Sequence, residues 1–235
     1  MTTLRAARLF GLARCAAAAI AIATCAAPAA HAADCPPSRF SLGGAPETQT
    51  TAAVLDTSIN TFGVKHVAYD LAAGTVFLDQ CCSLLATYVQ TSDAFDVVGV
   101  PAGTPVALTA MLAVDGSVST AGCGGSGCGG VFIDSLKSGA VADSRSHAIG
   151  VFNGSVPFHD DLSIPITIVA GAPVQIDIRF VGFRTPGGNH ESQGTGHPSF
   201  TGMPAGVNVI SCQGFNAGVT PTQRSSWGRV KILYR

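Results

Sequence analysis

The run Val174-Gln175-Ile176-Asp177-Ile178-Arg179-Phe180 puts every apolar side chain at one parity and every polar one at the other. An extended chain, with side chains alternating across it, gathers such a set on one face. A helix of 3.6 residues per turn would scatter it around the axis. Val106, Leu108, Leu112 and Val114, with Ala110 between them, repeat the pattern; so do Val230, Ile232 and Tyr234, opposite Arg229 and Lys231. Short apolar runs cut by Gly, Pro, Asn and Asp occupy most of the remainder. The expected class is all-β: an antiparallel two-sheet β-sandwich, jelly-roll or immunoglobulin-like, stapled by disulfides and with little helix outside a leader.

Two of these strands begin alike. Pro101-Ala102-Gly103-Thr104-Pro105-Val106 parallels Val169-Ala170-Gly171-Ala172-Pro173-Val174. Each offers a permissive Gly and then a Pro where the strand starts and needs no ladder donor. Two copies make no solenoid, and their expected use is as two long strands of the sandwich. Asp115-Gly116 reads as a turn after the first. Asp134 to Ala142 reads as a helical turn or a strand pair. Residues 184–198, rich in Gly, Pro and polar side chains, read as the longest loop.

Residues 1–32 have the form of a secretory leader: Arg5, Arg8 and Arg14, an apolar run from Cys15 to Ala27, and Ala30-His31-Ala32 before a cut at Ala33. Lipidation at Cys25 is the rival processing. The apolar run falls short of the roughly 20 residues a membrane span needs, and no transmembrane span is expected in the mature chain. Losing three Arg takes the formal net charge from −1 to −4. Residues 33–50 read as a Pro/Ser/Thr-rich N-terminal arm, and 51–235 as a single β-sandwich domain. The expected location is secreted or periplasmic.

Charged residues make up only 11% of the chain, against about 25% on average. That excludes a nucleic-acid binder, which needs a dense Lys/Arg footprint, and a coiled coil. Arg224, Arg229, Lys231 and Arg235 cluster at the end, where cations blunt an edge strand.

Six cysteines remain after the leader: Cys35, Cys81, Cys82, Cys123, Cys128 and Cys212. An even number in an exported chain points to disulfides. Cys123-Gly-Gly-Ser-Gly-Cys128 is short and flexible enough to close on itself. Adjacent Cys81 and Cys82 point to opposite faces of a strand, so the expected pairings are 35–81 with 82–212, or 35–82 with 81–212.

Motifs for chemistry are sparse. His190, Glu191 and His197 lack helical metalloprotease spacing, which leaves a loop-built zinc site. His159-Asp160-Asp161 offers two carboxylates for Ca²⁺ without the Asp-x-Asp-x-Asp-Gly loop. No nucleophile elbow or phosphate loop is present. Trp227 is the candidate platform for a sugar. No cofactor is expected beyond those weak Ca or Zn options.

Tyr69-Asp70-Leu71-Ala72-Ala73-Gly74, Thr91-Ser92-Asp93-Ala94-Phe95 with Pro101–Val106, and Ser211-Cys212-Gln213-Gly214-Phe215 before Trp227-Gly228-Arg229 occur together. The combination resembles a group of exported bacterial β-sandwich proteins, some with Pro-Glu-Pro C-terminal sorting tails. The resemblance covers most of residues 65–235 and implies no catalytic residues. This chain stops at Arg235 without such a tail, so anchoring by that route is not expected.

The function expected from all this is an exported, non-enzymatic structural, adhesive or binding module, its partner a surface glycan or another exported protein. The alternatives are a carbohydrate-binding module, or a secreted metal-dependent hydrolase using His190, Glu191 and His197.

Overall fold

A computed structural model describes residues 35–60, 63–81, 85–121, 129–149, 154–185 and 189–217. The segment read as a leader, Cys82, Cys123, Cys128, Trp227 and the C-terminal segment read as a basic strand lie outside them. Among the described residues there are thirteen strands and no helix: β1 Ser38–Ser41, β2 Thr48–Thr50, β3 Val54–Ile59, β4 Lys65–Asp70, β5 Thr75–Cys81, β6 Thr87–Val98, β7 Pro105–Ala121, β8 Gly129–Ser138, β9 Val141–Ile149, β10 Gly154–Val169, β11 Val174–Thr185, β12 Asn189–Thr201 and β13 Asn208–Ser211.

They form two antiparallel sheets. A seven-stranded sheet runs β2-β1-β6-β11-β8-β9, with β13 also on β6; a six-stranded sheet runs β10-β7-β12-β5-β4-β3. Alternation decides which side chains lie between them. Val106, Leu108, Leu112, Val114, Ile176, Ile178 and Phe180 are all buried, as are Leu162, Ile164 and Ile168 of β10. The chain is thus an all-β, two-sheet sandwich. The segment read as an N-terminal arm supplies β1 and β2 of the larger sheet.

The two similar turns lie side by side. Gly103 and Gly171 both have φ of 84°, a conformation open to Gly without a Cβ clash. Gly103 N–H donates to Ala170 O at 2.8 Å, and Ala170 N–H donates to Thr104 O at 3.0 Å. One turn feeds β7 and the other β11, so a matched pair of turns starts one long strand in each sheet.

Two expectations are corrected. Asp115-Gly116 is no turn: β7 continues through it, paired with β10 and β12. Nor is 184–198 one loop, since β11 runs to Thr185 and β12 starts at Asn189. The cause in both cases is the inward side chain. A Cβ on Gly116 would come within 2.3 Å of Phe158; one on Gly194 would meet Phe132 at 2.3 Å, and one on Gly196 would meet Phe180 at 2.5 Å. These glycines are core positions of a strand whose volume is filled by phenylalanines. Phe132 touches Phe158 and Phe180, with ring centroids 5.2 and 5.4 Å away. Asp134 to Ala142 takes the strand-pair form, the hairpin of β8 and β9.

The disulfide joins Cys35 to Cys212, with Cα atoms 5.7 Å apart, so neither expected pairing forms. Topology explains it. β1 and β13 both pair with β6, at Tyr88–Gln90 and Phe95–Val98 respectively. Extending β1 backward and β13 forward brings both chains towards Ala94, whose carbonyl accepts the Cys212 N–H at 2.9 Å. Cys81, in the other sheet, is bonded to a cysteine outside the described residues.

Candidate functional site

The outer face of the six-stranded sheet carries polar side chains on neighbouring strands. Its residues line up in two rows set by the register. One row crosses β5, β12, β7 and β10 as Phe77, Thr195, Asp115 and His159. The next crosses β4, β5, β12 and β7 as His66, Asp79, Gln193 and Ser117. Neighbouring strands lie about 4.8 Å apart and rows of the same face about 7 Å apart. Between the rows is a groove of about 360 Å³ lined by Phe77, Asp115, Ser117, Gln193, Thr195 and the backbone of Gly116 and Gly194.

Several groups here are held in place. Gln193 Nε2 donates to Ser117 Oγ at 3.2 Å. His66 packs edge-on against Phe77, 5.1 Å between ring centroids, and lies 2.7 Å from Asp56 Oδ1. Burial, and then the charge of Glu191, push the Asp79 carboxyl above its usual range. His159 Nδ1 is 2.7 Å from Asp115 Oδ1, and Nε2 is 3.6 Å from Asp161 Oδ2. The hydrogen bond and charge of Asp115, followed by Asp161, raise the His159 pKa. A second groove of about 400 Å³ lies along the same strands over Ala107, Thr109, Pro165, Thr167 and Gly202. No aromatic or ionisable side chain lines it.

Of the hydrolase candidates, Glu191 and His197 are not brought together. Glu191 and His197 are exposed on β12, paired with Ser119 and Ala113. They are six steps apart along the strand, about 20 Å. Asp160 and Asp161, read as a pair from sequence, also face opposite ways. Asp161 is on the exposed outer face, and Asp160 points between the sheets.

There Asp160 meets two residues that belong to no motif of the sequence. Asp134 of β8, His147 of β9 and Asp160 of β10 each bring a ligand atom within 4.8 Å of the others. Asp160 Oδ2 is in close contact with His147 Nε2. The His147 ring lies flat on Phe158, centroids 3.9 Å apart and planes within 2°. Next to them, Asp143 Oδ2 accepts the Ser163 N–H at 3.0 Å, and Asp143 Oδ1 takes Arg145 Nη1 at 2.5 Å. β9 and β10 are edge strands of opposite sheets, so this polar group closes the open side of the sandwich. A signal for Asp134 did exist in sequence. In Phe132-Ile133-Asp134-Ser135-Leu136 it is the charged residue at the apolar parity.

A third polar group, on the outer face of the larger sheet, satisfies itself. The Tyr88 hydroxyl bonds Glu47, Arg39 pairs with Glu47 at 3.4 Å, and the Arg179 guanidinium lies 5.3 Å from the Tyr88 ring centroid. Burial and the Glu47 contact push the Tyr88 pKa up to about 12.

No protein family matches the chain, and no curated protein matches it. Among solved structures, one of TmCBM61 in complex with beta-1,4-galactotriose is similar at 13% identity, covering 69% of this chain and 87% of that one. Its TM-score is 0.27, and a likeness of that order carries no argument about this chain. No helix among the described residues is long and apolar enough to cross a membrane.

Proposed function

We propose that this chain is an exported, non-enzymatic binding module, and that the outer face of its six-stranded sheet takes a neutral carbohydrate chain. The observation that carries the reading is the groove between Phe77 and the Asp115–Ser117–Gln193–Thr195 quartet. Sugars present an apolar C–H face and a rim of hydroxyls. Phe77 offers a ring for the first. The amide, carboxylate and hydroxyl groups offer fixed donors and acceptors for the second. A shallow groove crossing several strands suits a chain better than a small molecule, which a deeper pocket would enclose. Asp79, Asp115 and Glu191 make the face acidic, which favours a neutral glycan over an anionic one. Export is supported by the leader pattern and by a disulfide, which persists in oxidising compartments.

Electrophoresis of the exported protein through gels containing neutral polysaccharides tests this. Retardation by at least one of them is expected. Phe77→Ala and Gln193→Ala should each weaken it about tenfold or more, as loss of a central contact does. No reducing ends should be released on prolonged incubation. Migration unaffected by every polysaccharide, or retardation unchanged in both variants, would overturn the proposed site. Release of reducing ends would replace the binding module with a hydrolase.

A further inference from the structure

The Asp134–His147–Asp160 group poses a problem that the fold alone does not solve. Asp134 is 0% exposed, and no N–H or hydroxyl donor of the protein reaches either of its carboxylate oxygens; its contact with the Asp160 carboxyl is a hydrogen bond only while it holds a proton. A buried polar atom without a partner costs about 1–3 kcal/mol, and more when charged. Native interiors therefore contain few of them unless a ligand meets them. The orphaned carboxylate faces a second carboxylate and an imidazole, all within 4.8 Å. Two like charges at that distance repel, and a cation between them removes the repulsion and supplies the missing partner.

We propose that Asp134, His147 and Asp160 form a binding site for one divalent transition-metal ion, with zinc the best fit, which ties the two sheets together at their open edge. The donor set argues for the metal class. One imidazole nitrogen and two carboxylate oxygens suit Zn²⁺, whereas Ca²⁺ takes six to eight oxygens. Three protein ligands leave a fourth position for water. The site has an approach for it, since the His147 and Asp160 side chains keep 26% and 11% of their exposure. Stacking on Phe158 holds the imidazole in one orientation, the role usually given to a supporting hydrogen bond. Two ligands come from the seven-stranded sheet and one from the six-stranded sheet, so a bound ion is a cross-link between layers. This site is separate from the sugar groove, and either proposal can stand without the other.

The test is titration of the chelator-stripped exported protein with Zn²⁺ alone, read by calorimetry and by thermal unfolding. One ion per chain is expected. The melting temperature should rise by about 5–10 °C at a hundredfold excess over Kd. Asp134→Asn and His147→Gln should each weaken binding about 100-fold or more, beyond what loss of a supporting group costs. His159→Ala and His197→Ala, both on the outer face, should bind as the parent does. Because Asp134→Asn keeps size and shape, its own melting temperature without metal shows that it folds. No uptake of Zn²⁺, or equal uptake by the Asp134 and His147 variants, would overturn the site. Loss in the His197 variant alone would place the ion on the outer face instead.

Discussion

Two buried aspartates face the interior from the same sheet, and they are treated differently. Asp93 of β6 is 4% exposed and Asp134 of β8 is 0% exposed. Burial raises the pKa of both. Asp93 Oδ1 accepts the Ala94 N–H at 2.8 Å and the Gln213 N–H at 3.2 Å. Gln213 also reaches Thr51 O with its side-chain amide, at 3.2 Å. Asp93 thus clamps the segment after β13, beside the Cys35–Cys212 bond. Asp134 holds nothing of the kind. Asp93 meets donors at Oδ1 and leaves Oδ2 without one, whereas Asp134 lacks an N–H or hydroxyl donor at both oxygens.

The largest effect should come from the staple that supports the Asp93 clamp. Replacing Cys35 and Cys212 by Ser opens a bond of sequence separation 177. On the chain-entropy estimate that costs about 4–5 kcal/mol, read by urea unfolding. Next, Asp93→Leu should cost about 3 kcal/mol, because two backbone donors lose their acceptor. Asp134→Leu, without metal, should cost nothing or add about 1 kcal/mol, because an unpaired buried carboxylate gives way to an apolar side chain. Equal losses in the two variants would erase the distinction.

The pH dependence sharpens it. Burial, and then the charge of Asp160, push the Asp134 pKa to about 6. The unfolded carboxyl loses its proton near pH 4, while the folded one keeps it. The contribution of Asp134 to metal-free stability is therefore complete below about pH 4 and is lost as pH rises to about 6. The loss amounts to roughly 2–3 kcal/mol. Thermal scans over that range should show the decline in the parent and a smaller one in Asp134→Asn. A smaller effect, about 2 kcal/mol, is expected for Gly194→Ala, whose methyl group would press on Phe132. Phe132→Leu in the same chain should restore part of it.

These contrasts also explain what could be read in advance. Where the inward residues are aliphatic, as from Val106 to Val114 and Val174 to Phe180, alternation identifies strand and face together. In β12 the inward positions 194 and 196 are glycine, and their volume belongs to Phe132 and Phe180 of the other sheet. A strand whose core side chains are supplied by its partner looks like a loop. The disulfide was hidden for a related reason: Cys35 and Cys212 meet because β1 and β13 both pair with β6. Asp160 was visible beside His159 and Asp161, but its closest partners lie 13 and 26 residues away on another sheet. The groove was equally hidden, because Phe77, Asp115 and Gln193 become neighbours only through the β5-β12-β7 register.

Binding of a neutral glycan on the outer face of the six-stranded sheet is the proposed function. Amide chemical-shift mapping tests it most directly, using an oligosaccharide cut from whichever polysaccharide retards the protein. Shifts concentrated at Phe77, Asp115, Ser117, Gln193 and Thr195, saturating with dose, are the predicted result. Saturating shifts confined to another surface, with these five unmoved, would contradict it.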